Sequence, residues 1–420
     1  MSSSEFSPAV LAEVDRQMEI ISRRTVEILP LDEFRLKLAR SIRDRKPLRV
    51  KQGFDPTAPD IHLGHAVCVR KLKQFQELGH QVILIVGDYT ALVGDPSGRS
   101  ATRPQLEYEQ ILKNAETYET QFFKILDRSK TEVAHNGDWF KKLEFAEVMR
   151  LAARYTVARI LERDDFAERF KAETPIAVHE LLYPLMQAYD SVAIRADIEI
   201  GATEQKFNLL AGRTIQEAYG MEPQCILTMP VLVGLDGERR MSKSLGNYIG
   251  VDEPPREMFG KVMSIPDKVI EQYFLLATEC SPEKLAQVSA RLQDGRTNPM
   301  DLKREVGMMI VDDYHPPGSG QAANDEFTRM FTEKELPDEM PEMGLADLRK
   351  LDLDPKKVYL VHLMTRAGLA RSSNEARQLI EAGSVRFNGE RVTDSGLEFG
   401  LNQEVVLKIG KRRYLRLKPQ

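Results

Sequence analysis

Apolar residues recur at helical spacing near the N-terminus, through Leu11, Val14, Met18 and Ile21, and again through Leu31, Phe34 and Leu38. Pro30 stands between the two stretches, so residues 1–45 read as a helical segment broken at that point. The pattern then changes. Residues 48–54 read as a strand, Asp55-Pro-Thr-Ala-Pro-Asp60 as a loop, and residues from about 62 to 78 as a helix carrying Val69, Leu72, Phe75 and Leu78 on one stripe. Val82-Ile-Leu-Ile-Val86 is a continuous apolar run, the signature of a strand covered on both faces. Strand, helix and buried strand within about 40 residues make a βαβ unit, and hence a parallel sheet.

Residues 104–182 are mostly helix-patterned and charged, as expected of an insertion or a helical layer. Strand-like runs return at 194–200 and 226–235, and residues 253–331 are helical again, interrupted at His315-Pro-Pro-Gly-Ser-Gly320. Residues 337–353 are rich in Pro, Glu and Asp with little periodicity and read as a linker. A last module begins near Lys356. In it, Ser372-Ser-Asn-Glu375 is a capping-box pattern ahead of a short helix, Gly383 is a helix stop, and Val385 to Val392 is a hairpin turning at Asn388-Gly389. There is no internal repeat and no low-complexity tract.

Composition narrows the class. The chain has 420 residues, 42% apolar and 29% charged, which suits two to four globular domains and excludes a disordered, collagenous or disulfide-rich scaffold. No run approaches the roughly 18 apolar residues of a membrane span, and the first residues lack the features of a secretory leader. Cys68, Cys225 and Cys280 lie too far apart to suggest a disulfide framework or a zinc cage, so a cytoplasmic protein without a bound metal is expected. The net charge of −5 is unevenly spread: residues 355–420 carry 13 Lys and Arg against 6 Asp and Glu, leaving −12 on the rest. A basic tail module on an acidic body suits a polyanion such as nucleic acid, although a solvated basic surface reads the same way.

Two segments carry chemistry. His62-Leu-Gly-His65 sits where a loop enters a helix. Free N–H groups and the positive end of the helix dipole favour phosphate there, the two histidines at i and i+3 share a face, and Gly64 leaves room for an adenine ring. Arg240-Met-Ser-Lys-Ser244 lies in the polar, Gly-flanked run 236–247, a loop able to close over a triphosphate and neutralise a departing pyrophosphate. Either segment alone could be a capped helix start or a solvated loop. About 175 residues apart in one chain, they reinforce each other.

Together they resemble the HIGH and KMSKS signatures of class I aminoacyl-tRNA synthetases. Gly53-Phe-Asp-Pro-Thr-Ala-Pro-Asp-Ile-His-Leu-Gly-His65, Gly87-Asp-Tyr-Thr-Ala-Leu-Val-Gly-Asp-Pro-Ser-Gly98 and Tyr183-Pro-Leu-Met-Gln-Ala-Tyr-Asp190 narrow the likeness to the bacterial tyrosyl-tRNA synthetases. It runs from about residue 30 to the end and includes a module similar to the S4 RNA-binding domain. The implied fold class is α/β: a Rossmann-like parallel-sheet catalytic domain with a helical insertion, then an α-helical domain and a small α+β S4-like domain. The implied layout is an N-terminal helical segment (1–45), the catalytic domain (46–250, insertion about 104–182, signature loop 236–247), a helical domain for the tRNA anticodon stem (251–335), a linker (336–354) and the S4-like domain (355–420).

The resemblance implies tyrosine–tRNA ligase activity, with ATP as substrate accompanied by Mg2+, L-tyrosine and tRNA(Tyr) as partners, a homodimer, and no editing domain. Carried over by position, Thr57, His62 and Lys243 stabilise the emerging pyrophosphate. Asp55, Gly64 and His65 hold ATP with the loop residues Arg240, Met241, Ser242 and Ser244, and Gly201 and Glu204 face the ribose. Asp95, Tyr183, Gln187, Asp190 and Gln205 form the tyrosine pocket, with Asp190 accepting from the phenol. Spacing independently puts Tyr183, Gln187 and Asp190 on one helix face, at i, i+4 and i+7. In the last module Arg371, Arg377, Arg386, Arg391, Lys411, Arg412 and Arg413 would meet tRNA phosphates. Two departures stand out: Lys51 occupies a position where the better-known branch has a tyrosine, which leaves a second phenol contact unassigned, and Arg240 replaces the first Lys of the signature loop. The rivals are another nucleotidyl transferase of this type, the sister tryptophan enzyme, and a catalytically silent RNA-binding relative. Tyr183 to Asp190 and the Lys243 loop speak against the first two, and intact His62, His65 and Lys243 against the third.

Overall fold

A computed structural model of the chain describes residues 6–96, 106–331, 340–410 and 413–419. Two compact units divide the chain at Met1–Asp325 and Glu326–Gln420. The first is built on six strands: β1 (Glu27–Leu29), β2 (Arg49–Phe54), β3 (Gln81–Val86), β4 (Thr131–His135), β5 (Ile198–Ala202) and β6 (Cys225–Met229). Their order in the sheet is β1-β6-β5-β2-β3-β4, parallel throughout except for the antiparallel β1–β6 pair. The chain steps outward from β2 through β3 to β4, then returns to the other side of β2 as β5 and β6. The carboxyl ends of β2 and β5 therefore form a topological switch point, the crevice where open α/β sheets bind ligands.

Local chemistry sets these elements. The apolar runs of β3 and β6 are buried because helices cover both faces. Helix Leu63–Glu77 buries Leu72 and Phe75 against the sheet and ends before Gly79, whose φ of +86° suits a residue without Cβ. Helices Tyr183–Ala193 and Lys206–Ala218 approach closely at Gly212, where an added Cβ would lie 2.4 Å from Gln224 Nε2 and 3.2 Å from Ser191 Oγ. Within the sheet, Lys51 and Glu199 are cross-strand neighbours, each 1% exposed, with Nζ and Oε1 3.0 Å apart.

The structure corrects the sequence reading in three places. The N-terminal segment contains a strand as well as helices Pro8–Ser22 and Leu31–Asp44. β1 spans three residues beside Pro30, too short to show a period between two helical patterns. The stretch 104–182, mostly helical, also holds a strand that the sequence did not show: β4 runs through it and pairs with β3 along five residues. As an edge strand with only partly buried side chains, β4 shows no continuous apolar run. Finally, the stretch 336–354 is not a bare linker where it is described: it carries β7 (Glu342–Met343) and helix Leu345–Lys350.

The second unit also contains β8 (Val358–Tyr359), β9 (Val385–Phe387), β10 (Glu390–Val392), β11 (Glu398–Phe399), β12 (Val405–Ile409) and β13 (Arg413–Leu417). Its main sheet has the order β10-β9-β12-β13-β7, and β7 pairs parallel with β13. Leu348 joins the same core as Val361, Ile380 and Leu407. The Ser372 hydroxyl accepts from the Glu375 N–H at 3.2 Å, and Asn388 and Gly389 both have positive φ at the hairpin turn. In sequence, the stretch from 255 to 331 is mainly helical, with the Pro-Pro-Gly break separating helices Pro299–Tyr314 and Ser319–Phe331. Among the described residues no helix is long and apolar enough to cross a membrane.

Candidate active site

A cavity of about 640 Å³ opens at the carboxyl ends of β2, β5 and β6. Asp55, Thr57, His62, Gly64, His65, Asp95, Glu204, Gln205 and the loop from Arg240 to Ser244 all line it. Residues up to 189 positions apart in sequence thus share one wall. A smaller cavity of about 200 Å³ shares Asp55, Thr57, His65, Asp95 and Gln205 and adds Tyr183.

His62 is the N-cap of helix Leu63–Glu77, and its ring stacks on that of His65 with centroids 3.7 Å apart. Gly64 makes this possible: a Cβ there would sit 3.0 Å from the His62 ring and 3.5 Å from Met241 Cβ. Burial, with His65 and Lys243 adding to it, holds the His62 imidazole far below its ordinary range, and burial with Lys243 pushes His65 down to about 3. Both rings are therefore neutral at pH 7, with N–H groups able to donate to an anion.

The loop is held in a hairpin-like fold by Met241 N to Leu232 O at 2.9 Å and Gly234 N to Arg239 O at 2.8 Å. Asn247 staples it: its Oδ1 accepts from Ser242 N at 2.8 Å, and its Nδ2 donates to Asp236 Oδ2 at 2.9 Å and Arg240 O at 3.1 Å. Beyond the loop, Leu63 N donates to Ile249 O at 3.0 Å, tying the two signature segments together. Lys243 is half-buried, its Nζ 3.3 Å from Ala58 O and 5.9 Å from the Tyr118 ring centroid. Burial lowers its ammonium to about 8, with Asp60 opposing. Arg240 pairs with Glu204, joining the loop to the end of β5.

On the helix Tyr183–Ala193, the Tyr183 hydroxyl donates to Asp55 Oδ2 at 2.9 Å, and Thr90 donates to Oδ1 at 2.8 Å. Gln187 Nε2 donates to Glu199 Oε1 at 2.9 Å. Asp190 is buried, receiving Trp139 Nε1 at 2.9 Å on Oδ1 and Asn136 Nδ2 at 3.4 Å on Oδ2. Burial pushes its carboxyl up to about 7, against the pull of Lys51, Trp139 and Asn136. Gln187 and Asp190 do not line either cavity; they follow Tyr183 on the same helix. Gly201 also lies off both walls, packed against Gln205 and Leu209.

Sequence reasoning passed over Trp139, Asn136, Asn247 and Tyr118. The first is the chain's one tryptophan, the only advance signal it offered. In the second unit, Arg371, Arg377, Arg386, Arg391 and Arg413 are exposed, with Arg386 Nη1 turned to Gly389 O at 2.9 Å and Arg391 Nη2 to Ala382 O at 3.0 Å. Lys411 and Arg412 lie outside the described residues.

Comparison with known proteins gives the family of the chain. Residues 43–332 match the family model of class I tRNA synthetases for tryptophan and tyrosine, and residues 360–405 match the S4 domain. The chain is 52% identical over 405 residues to the tyrosine–tRNA ligase of Moorella thermoacetica, covering 96% of both chains. It is 50% identical over 406 residues to that of Carboxydothermus hydrogenoformans, covering 96% of this chain and 98% of the relative. Among solved structures, tyrosyl-tRNA synthetase from Archaeoglobus fulgidus complexed with L-tyrosine superposes with a TM-score of 0.61 at 24% identity, over 74% of this chain and 99% of the other. A C-terminally truncated mitochondrial tyrosyl-tRNA synthetase of Aspergillus nidulans gives 0.63 at 19% identity, over 77% and 98%.

Proposed function

The chain belongs to the tyrosyl-tRNA synthetases of class I, whose reaction joins tyrosine to tRNA with ATP, and from that premise we propose how its own residues divide the work. In the first step a tyrosine carboxylate oxygen attacks the α-phosphorus of ATP and pyrophosphate leaves. The attacking group is already an anion, so the step needs no general base and no covalent enzyme intermediate. Catalysis is positioning plus electrostatic stabilisation of charge on the departing pyrophosphate. His62, Thr57 and Lys243 meet that charge; His65, Gly64 and the loop residues hold the nucleotide, with Glu204 at the ribose. Magnesium enters with ATP as part of the substrate, held through phosphates and water. In the second step a hydroxyl of the terminal adenosine of tRNA(Tyr) attacks the carbonyl of the tyrosyl-adenylate; the bond to AMP breaks, AMP leaves, and the hydroxyl proton is released.

Tyr183, Gln187, Asp95 and Gln205 receive the amino acid, and Asp190 the phenol. A buried acceptor left without its phenol penalises phenylalanine; tyrosine enzymes of this family are themselves the standard case, with discrimination of about 10⁵ and no editing. The exposed arginines of the second unit bind tRNA phosphates. A second copy of the chain completes a homodimer, and the substrates put it in the cytoplasm, where the free Cys68, Cys225 and Cys280 would stay reduced.

The observation that carries this reading is the pair of stacked, neutral imidazoles lining one cavity with the Lys243 loop. ATP–pyrophosphate exchange tests it. Exchange should depend on tyrosine and be negligible with tryptophan or phenylalanine. Exchange driven equally by tryptophan, or absent with every amino acid, would reject it.

A further inference from the structure

Arg163 caps the helix Asp164–Lys171, in the insertion, yet its side chain leads to Asp95, 68 residues earlier in the sequence. The guanidinium is 5% exposed. Its Nε and Nη2 fork onto Asp165 at 2.7 and 2.9 Å, and Nη1 donates to Asn208 Oδ1 at 3.0 Å. Nη2 also stands 3.7 Å from Asp95 Oδ1. Asn208 is fully buried, and its Nδ2 lies 3.5 Å from that same oxygen, while Gln205 Nε2 lies 3.5 Å from Oδ2. A guanidinium and an amide that are bonded to each other thus converge on one carboxylate oxygen. The Arg163 contact is an ion pair and not a hydrogen bond, and the two amide donors at 3.5 Å lie on different oxygens, so the three groups together limit how the carboxylate can turn.

Charge makes the arrangement selective. An arginine alone beside Asp95 would cancel the negative charge that a substrate ammonium needs. Here Asp165 takes the guanidinium in a bidentate pair, the geometry in which arginine is held most firmly. The Arg163–Asp165 pair carries no net charge, so the arginine does not act on Asp95 as an uncompensated cation. The Phe166 ring, 5.1 Å from the guanidinium carbon, fixes it further. Arg163 and Asp165 line a separate cleft of about 810 Å³, whereas Asp95 lines the nucleotide cavity, so the arginine stands in the partition between the two.

We propose that Arg163, braced by Asp165 and Asn208, is a positioning residue that orients Asp95 toward the tyrosine ammonium. The proposal rests on the reading above that Asp95 meets that ammonium. It assigns Arg163 no contact with substrate. Losing it should therefore weaken recognition of the ammonium alone.

The test uses the full chain with Arg163→Met and the milder Arg163→Lys, which keeps a cation but not the fork, and Asp95→Asn as reference. Pyrophosphate exchange gives kcat and the KM of tyrosine and of ATP. Competitive inhibition by 3-(4-hydroxyphenyl)propanoate, which is tyrosine without its ammonium, reads the rest of the pocket. Arg163→Met should raise the KM of tyrosine roughly tenfold, leaving kcat, the KM of ATP and the analogue's Ki within about twofold, with Arg163→Lys in between. Equal weakening of tyrosine and analogue, in either variant, would mark Arg163 as a structural residue and overturn the proposal, as would an unchanged KM for tyrosine. If Asp95→Asn itself leaves the preference for tyrosine over the analogue intact, the ammonium reading fails and takes this proposal with it. If only the Arg163 variants do so, the ammonium reading stands and this proposal falls.

Discussion

Lys243 is half-buried and its ammonium is lowered to about 8 by that burial, so its charge is both effective and conditional on pH. Pyrophosphate charge develops in the transition state, where one preorganised donor is worth about 10²–10³ in rate. Lys243→Ala should therefore cut the rate of adenylate formation by roughly that factor, with tyrosine binding measured by equilibrium dialysis unchanged. The same lysine should give kcat/KM for ATP a limb that falls as pH rises through about 8, because deprotonation removes the charge. In Lys243→Arg that limb should move beyond the measurable range. Asp190 behaves in the opposite sense. Its folded-state value of about 7 lies above the ordinary 3.8, so between these values the folded chain holds a proton that the unfolded chain has released. Asp190 then removes stability as pH rises through that window. Asp190→Asn abolishes this term, and its Tm relative to the parent should improve from pH 5 to pH 8. The same variant should narrow the preference for tyrosine over phenylalanine in kcat/KM by at least roughly tenfold. An equal fall for both substrates would make Asp190 structural.

Among the elements, β2 and β5 carry the least expected feature, the buried Lys51–Glu199 pair. Lys51 Nζ also donates to Gln187 O at 3.1 Å, and Glu199 accepts from Gln187, so the pair supports the helix that carries Tyr183 and Asp190. Lys51→Met leaves a buried carboxylate uncompensated and should destabilise the chain by about 3–5 kcal/mol in urea titration, much of it recovered in Lys51→Met with Glu199→Gln. The position had been legible only as a departure from a family pattern; its partner lies on a strand 148 residues away, which no local period reveals. Where the sequence was legible, a single period or a continuous run marked the element: the β2, helix and β3 unit, the i, i+4 and i+7 face of Tyr183, Gln187 and Asp190, and the turn at Asn388-Gly389. The signature segments were legible as motifs, and the cavity joins them. β1 and β4 were not, since one is three residues long and the other a half-covered edge. Nor were Trp139 and Asn136, whose roles depend on tertiary contacts with Asp190 and, for Asn136, with Tyr89 and Thr90.

At the scale of the whole molecule, the cavity belongs to the unit Met1–Asp325 and the exposed arginines to the unit Glu326–Gln420. A deletion starting at residue 355 would leave β7 and helix Leu345–Lys350 behind without the strand and core they pack on. A cut after residue 331 keeps the helix Ser319–Phe331 whole and removes β7 and helix Leu345–Lys350 together with the strand and core they pack on. Contacts of exposed arginines with phosphate are sensitive to salt, so charging of tRNA(Tyr) by the full chain should weaken steeply between about 50 and 200 mM salt. The most direct measurement of the account is made on the chain cut after residue 331: tyrosine-dependent ATP–pyrophosphate exchange, with tRNA(Tyr) charging assayed on the same preparation. The account predicts exchange close to that of the full chain and charging reduced at least roughly tenfold at about 150 mM salt. A soluble, folded truncated chain that supports no tyrosine-dependent exchange, while the full chain charges tRNA(Tyr), would contradict it.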